Sequence, residues 1–290
     1  MKIVVFSDLD ATLLDRETYS WEPADRAIEA LRKREASLVM VTSKTLSEVG
    51  SLHAELGFDD PFVFENGGGI AFRKETPLKE HLISWEPKID EFQREGFTVL
   101  ALGTRYEALV KSLAEISVEV GAPLLGFSAM SNEEVAKATG LPAAQAVKAR
   151  WRLFDEPFMI PEESKSLEAG IQSAAIRRGL GMVKGGRFWH LIGHAGKGKA
   201  VSILLEGFRK QEGALVSIGL GDSPNDFPFL ELVDIPVPLG ELSTGEWAWP
   251  PAARVHRVDH LGPEGWNQAV LDILASLQRG PAHRKSEGGT

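Results

Sequence analysis

Short apolar runs alternate with amphipathic stretches over the first quarter of the chain. KIVVFS at 2–7, SLVMVTS at 37–43 and PFVFENG at 61–67 read as buried strands, while PADRAIEALRKREA at 23–36 and TLSEVGSLHAEL at 45–56 carry apolar residues at helical spacing. This alternation predicts a parallel sheet with helical crossovers. In such sheets ligands sit outside the carboxyl ends of the strands, so the residues there, Asp8 and Asp10, Thr42 to Lys44, and Glu65 with Asn66, are expected to meet. The same signals return late in the chain as FWHLIG at 188–193, the helix GKGKAVSILLEGFRKQ, the strand ALVSIGLGDS at 214–223, a short helix FPFLELV and the strand IPVPL. Between these blocks the texture changes, with helices RYEALVKSLAEIS and SLEAGIQSAAIRR and apolar strands FTVLALG and PFMI. The expected organisation is a discontinuous α/β core domain over 1–83 and 189–278, an inserted domain over 84–188, and a flexible polar tail over 279–290.

Composition narrows the function classes. With 290 residues, 43% of them hydrophobic, the chain can bury the cores of two domains. A formal net charge of -9 argues against a nucleic-acid partner, because phosphate backbones are gripped by clustered Lys and Arg. The opening apolar run is too short for a signal-peptide core or a membrane span, so a cytoplasmic protein acting on a small molecule is expected, with no membrane partner. The chain contains no Cys, so any metal must be held by oxygen ligands or His, which favours a hard cation.

The stretch VVFSDLDATLL places Asp8 and Asp10 at the exit of a hydrophobic strand, and residues two apart in an extended chain project the same way. Like charges that close repel, and burial makes each less favourable. A second acidic group, Asp222 and Asp226 flanking Asn225, follows another strand in GLGDSPNDF. Either stretch alone is a good turn sequence. Both, however, are expected at one edge of one sheet, where converging carboxylates require positive charge and suit Mg2+. GHAGKGKA at 193–200 offers that charge at a helix start, where free N–H groups already favour an anion. It nearly matches a nucleotide-binding P-loop, but Ala200 stands where that motif needs a hydroxyl. Lys197 or Lys199 on an ordinary solvated loop is the simpler alternative.

Asp8-Leu9-Asp10-Ala11-Thr12, Thr42, Lys197-Gly198-Lys199-Ala200 and Gly221-Asp222-Ser223-Pro224-Asn225-Asp226 resemble the four motifs of the haloacid dehalogenase (HAD) superfamily of phosphohydrolases. Their order and the insertion resemble the Cof-like branch with a large α/β cap, which implies a HAD-like Rossmannoid parallel-sheet core with an inserted α/β cap domain. More narrowly, VTSKT, FENGGGI, RLFDEPF, GGRFWHLIGHAGKGKAV and LGPEGWNQAVLDIL resemble landmarks of the mannosyl-3-phosphoglycerate phosphatase family over about residues 1–278. The chain departs from it at Ala11, where the family has Gly, and at Leu153-Phe154, where a polar residue and Tyr are expected. If the loop needs positive φ at residue 11, Ala strains it.

The resemblance implies a mechanism. Asp8 is the nucleophile, Asp10 the acid and base, and Mg2+ is held by the Asp8 carboxylate, the Asp10 carbonyl and Asp222. Lys197 balances charge, Thr42 contacts a phosphoryl oxygen, and Asn225 with Asp226 supports metal and lysine. The implied substrate is a sugar phosphate, mannosyl-3-phosphoglycerate, with the glucosyl compound as alternative; a nucleotide-binding protein and a non-catalytic sugar-phosphate sensor are more distant readings. Lys44, Arg152 and Arg187 are expected to bind its carboxylate, and Ser43, Glu65, Asn66, Gly67, Gly68 and His190 other groups. For each Arg a surface salt bridge is the simpler reading, and for His190 a satisfied core position. Gly67 to Gly69 read as a cap hinge or as a plain turn.

Overall fold

The computed structural model describes residues 1–73, 76–85, 89–160, 165–185, 187–244, 247–250 and 252–279. Of the expected tail only Arg279 is described, as the last residue of the helix Gly262–Arg279. Its strands are β1 (Lys2–Ser7), β2 (Ser37–Met40), β3 (Phe62–Phe64), β4 (Gly69–Phe72), β5 (Asp90–Arg94), β6 (Phe97–Ala101), β7 (Leu125–Gly126), β8 (Asp155–Met159), β9 (Gly181–Lys184), β10 (Trp189–Ile192), β11 (Leu215–Gly221) and β12 (Ile235–Pro238).

These form three four-stranded sheets. The first, in the order β12-β11-β1-β2, is entirely parallel, and its Pro-containing strand β12 lies at an edge, where a missing N–H is tolerated. Alternation along β1 sends Val5 into an apolar layer with the helices Asp25–Arg32 and Gly262–Arg279. Val4 and Phe6 enter the opposite layer with the helix Lys197–Glu212. Both faces of the sheet are therefore covered, as a parallel sheet requires. This is the parallel core that the strand–helix alternation predicted, in the Rossmannoid form that the family resemblance implied.

The other two sheets are antiparallel, in the orders β3-β4-β6-β5 and β7-β8-β10-β9. The former adjoins the core through a parallel bridge between Val41 and Val63. The latter packs on the helices Tyr106–Val120 and Lys165–Arg177 around Leu109, Leu113, Phe158, Ile171 and Leu191, the inserted cap.

Two strands fall elsewhere than the sequence reading put them. FWHLIG, expected in the parallel sheet, forms β10 and pairs antiparallel with β8 and β9. Only residues 185–188 separate β9 from β10, too short a link for a parallel crossover, and the apolar periodicity of a strand does not encode its direction. FTVLALG, expected in the insertion, forms β6 and pairs with β4, which continues the sheet beside the core. The inserted sheet thus draws on β10, and the core's neighbour on β5 and β6.

Ala11 has φ +59°, so the loop after β1 does take the left-handed conformation that glycine adopts freely. For a residue with a Cβ that conformation costs roughly 1–2 kcal/mol.

No helix among the described residues is long and apolar enough to cross a membrane.

Candidate active site

Asp8 follows the last residue of β1, and the ladder with β11 extends to it through its N–H, which donates to Leu220 O at 2.9 Å. Its carbonyl accepts from Ser7 Oγ at 2.7 Å, and Ser7 Oγ in turn accepts from Trp266 Nε1 at 2.9 Å. The fully buried Trp266 explains why the carboxy-terminal stretch belongs to the site's scaffold. Asp222 follows β11, the adjacent strand, so the distant acidic groups share one sheet edge.

Lys197 opens the helix Lys197–Glu212 and is buried, whereas Lys199 is exposed. Lys197 Nζ lies 2.6 Å from Asp8 Oδ1 and 2.6 Å from Asp226 Oδ1. The other oxygen of Asp226 accepts from the backbone N–H groups of Asp222 and Ser223, both at 3.1 Å. Asp226 therefore spends its acceptors on the lysine and on the turn that presents Asp222. These observations select Lys197 between the lysines. They also remove the P-loop reading, since the strand before the glycines is antiparallel and its lysine faces solvent.

Oxygen atoms of Asp8, Asp222 and Asp226 lie within 4.8 Å of one another. Burial, reinforced by the neighbouring Asp226 charge and opposed by Lys197, pushes the Asp8 carboxyl well up. The same causes push Asp222 up to about 7. Burial works against charge on Lys197, yet Asp226 and Asp8 overcome it and hold the ammonium firmly protonated. Three carboxylates against one ammonium leave an excess of negative charge in an all-oxygen cluster, buried at Asp8 and Asp226 and half-buried at Asp222. That fits a hard divalent cation.

Asp10 is half-exposed and ion-paired to Lys44 Nζ at 2.9 Å. Lys44 also lies 4.9 Å from the centroid of the Tyr19 ring. Its turn is fixed on one side by Thr45, which caps the helix Leu46–Leu56 in a reciprocal box with Glu48. Thr42 is fully buried, its Oγ1 accepts from Lys44 N–H at 3.1 Å, and Ser43 rather than Thr42 reaches the cavity.

A cavity of about 620 Å³ opens over Asp8, Asp10 and Asp222, with Lys44, Arg152, Lys184, Arg187 and His190 in its walls. The exposed Arg187 also donates to Thr139 O. Glu65, Asn66, Gly67 and Gly68, expected at substrate, are buried, are not among the residues lining this cavity, and bond to the chain itself. Glu65 accepts from the N–H groups of Leu153 and Phe154 at 2.9 and 2.6 Å, and Asn66 Nδ2 donates to Asp155 Oδ2 at 2.7 Å. Gly67, at φ +88°, lies so close to Gly196 that a Cβ would sit 2.3 Å from its carbonyl, and a Cβ on Gly68 would meet that of Phe154 at 2.3 Å. The glycine triplet is thus a close-packing device.

Sequence reading overlooked Asp155, a fully buried carboxylate on β8, and Lys184 at the end of β9. An acid opening an apolar strand, in DEPFM, was the available signal for the first.

Burial, partly offset by Arg152, pushes the Glu65 carboxyl up to about 8. Between its ordinary value and about 8 the folded chain holds a proton that the unfolded chain has released, so stability falls as pH rises through this window. Glu65→Gln is expected to flatten the decline, by up to ~1.4 kcal/mol per pH unit, in urea melts run from pH 5 to 8. An unchanged slope would mean that Glu65 is ionised throughout.

Comparison with known proteins agrees with this geometry. A family model described as haloacid dehalogenase-like hydrolase matches residues 5–94. A glucosyl-3-phosphoglycerate/mannosyl-3-phosphoglycerate phosphatase of Methanococcoides burtonii is 37% identical over 277 residues, covering 94% of this chain and 98% of its own. The chain belongs to this family of HAD phosphatases. A mannosyl-3-phosphoglycerate phosphatase of Pyrococcus furiosus is 31% identical over 82% of this chain and 91% of its own. Among solved structures, a Thermoplasma acidophilum protein superposes with a TM-score of 0.63 at 19% identity, covering 96% of this chain and 99% of its own. The sucrose-phosphatase of Synechocystis, solved with sucrose and phosphate, superposes with a TM-score of 0.60 at 14% identity over 95% and 98%. These two share the fold. As a HAD-superfamily member with the acidic cluster in place, the protein is a phosphoric monoester hydrolase.

Proposed function

We propose that the chain hydrolyses mannosyl-3-phosphoglycerate to mannosylglycerate and phosphate with Mg2+ as cofactor, and that the same site accepts the glucosyl compound. The observation that carries this reading is the joining of the Asp8–Lys197–Asp226 cluster to a cavity walled by cations. A substrate with a phosphate and a carboxylate needs positive groups beyond the reacting centre, and Arg152, Lys184 and Arg187 provide them. The near full-length relative of Methanococcoides burtonii, whose name carries both sugars, supports including the glucosyl compound.

In this reading an Asp8 oxygen attacks phosphorus in line, the ester P–O bond breaks, and the leaving sugar-acid oxygen takes a proton from Asp10. Asp10 then removes a proton from water, which displaces Asp8 from phosphorus and releases phosphate. The adjacent carboxylates thereby have distinct work, one attacking and its neighbour moving protons. The Asp8 carboxylate, the Asp10 carbonyl and Asp222 would hold Mg2+, which when bound would lower the repulsion between carboxylate and phosphate dianion. Lys197 opposes the charge that gathers on the phosphoryl group. Ser43 is the better-placed hydroxyl for a phosphoryl contact, because it reaches the cavity and Thr42 does not. Asn225 and Asp226 steady the loop of Asp222.

The test is phosphate release from mannosyl- and glucosyl-3-phosphoglycerate, sucrose phosphate and simple hexose phosphates, with and without Mg2+. Release from the two glycosyl phosphoglycerates, at rates well above the rest and only with Mg2+, is expected. Equal rates on all would remove the narrow substrate. Binding without phosphate release would turn the site into a sensor.

A further inference from the structure

We propose that Asp155 is a positioning residue for substrate recognition, holding Arg152 and His190 at the cavity wall and tying them through Asn66 to Asn225 beside the acidic cluster. The proposal rests on the phosphatase reading above and adds a residue to it.

Asp155 is fully buried and does not line the cavity, whereas Arg152 and His190 do. His190 Nδ1 lies 2.9 Å from Asp155 Oδ1 and 3.0 Å from Oδ2. A carboxylate only accepts, so Nδ1 carries the proton and Nε2 is left for the cavity side, beside Gly185 in the same wall. Arg152 NH1 stands 3.5 Å from Asp155 Oδ2 and 3.3 Å from Ser43 O, and its Nε donates to Ala149 O at 2.9 Å. The guanidinium also lies 5.6 Å from the centroid of Phe127, another wall residue. Burial disfavours the Asp155 charge, but His190 and Arg152 outweigh it and hold the carboxyl below its usual range.

From Asp155 the chain of contacts runs into the core. Asn66 Nδ2 donates to Asp155 Oδ2 at 2.7 Å, Asn225 Nδ2 donates to Asn66 Oδ1 at 3.2 Å, and Ser223 Oγ donates to Asn225 Oδ1 at 2.7 Å. Ser223 and Asn225 flank the same turn as Asp222. The relay therefore joins a cap strand to the loop after β11. It passes through backbone strain, since Glu65 and Asn66 both take positive φ, +48° and +54°, in succession. Such strain persists only where surrounding bonds over-determine it. Here the bonds go to residues 153 to 155, the segment that carries Arg152 into the cavity. A buried carboxylate contributes little net stability compared with well-packed apolar groups, but it fixes the direction of its partners. Both partners line the cavity.

Asp155→Asn removes the charge opposite Arg152 and sets an amide N–H group where Asn66 and His190 need an acceptor. The expected result is a KM raised roughly tenfold or more on the glycosyl phosphoglycerate, with kcat within about threefold. Turnover of p-nitrophenyl phosphate, too small to span from Asp8 to the cap wall, should stay within about twofold. Asn66→Gly keeps the positive φ without strain while deleting the relay amide, and is expected to raise the same KM; it decides the matter if Asp155→Asn fails to fold. Equal losses on both substrates, or an unmoved KM in the folded variant, overturns the proposal. If the wild-type protein releases no phosphate from glycosyl phosphoglycerates, the substrate reading fails separately, and the comparison is made on its best sugar phosphate.

Discussion

Replacing Asp8 by Asn is expected to lower turnover of every phosphomonoester the protein accepts by on the order of 10⁴-fold or more, the scale on which loss of a covalent nucleophile registers. A carboxamide keeps the shape of the side chain but has no anionic oxygen to attack phosphorus. The rest of the site survives, since Lys197 still has Asp226 at 2.6 Å and the Asp8 backbone remains fixed to Leu220 and Ser7. Stability is the informative companion measurement. Burial and the nearby Asp226 make the charged form of Asp8 unfavourable in the folded chain. Removing that charge should leave the urea midpoint of the metal-free protein unchanged or higher, so the variant would be inactive and no less stable. Loss of both would mark Asp8 as structural, and retained turnover with Mg2+ would rule out its role as nucleophile.

Lys197→Ala carries the largest expected cost in stability. Asp8 and Asp226 are 5% and 0% exposed, and Lys197 is the cation within hydrogen-bond reach of both. Deleting one partner from a buried ionic cluster strands the others, and losses of about 3–5 kcal/mol are typical. Activity should fall by about 10²–10³-fold as well, the usual effect of removing one electrostatic contact to a transition state. Lys197→Arg should not rescue either property, because a planar guanidinium cannot take the place of a compact ammonium between two carboxylates. Lys199→Ala is the control. That side chain is exposed, so its removal should change stability by less than about 0.5 kcal/mol and leave turnover intact. Urea melts of EDTA-treated protein, with phosphate-release assays, check both. Equal effects at 197 and 199 would contradict the geometry described for the cluster.

The catalytic floor was legible in the sequence for a simple reason. Parallel strands linked by helices all end at one sheet edge, so Asp8, Asp10 and Asp222 could be placed together from the alternation alone. The left-handed turn at Ala11 entered only as a condition, through the glycine that the family carries at that position, and the structure shows that the condition is met. The recognition wall was far less legible. Glu65 and Asn66 stood at a strand end, as active residues do, yet both face inward to the 153–155 segment. Nothing local distinguishes a carboxylate that meets substrate from one that meets a distant backbone N–H. Strand β10 was misplaced because its apolar pattern is shared by parallel and antiparallel strands.

The sequence by itself determined a parallel α/β core, the presence of an insertion and an acidic cluster with a lysine at a helix start, because these follow from short-range periodicity and from where strands end. The residue pattern left Lys197 and Lys199 open and the family resemblance chose Lys197; tertiary structure put Lys197 between Asp8 and Asp226, set β10 in the antiparallel sheet, and placed Asp155 rather than Glu65 behind Arg152 and His190. Those outcomes depend on contacts between residues up to 189 positions apart, such as Lys197 with Asp8, and local pattern carries no information about side-chain direction over such distances.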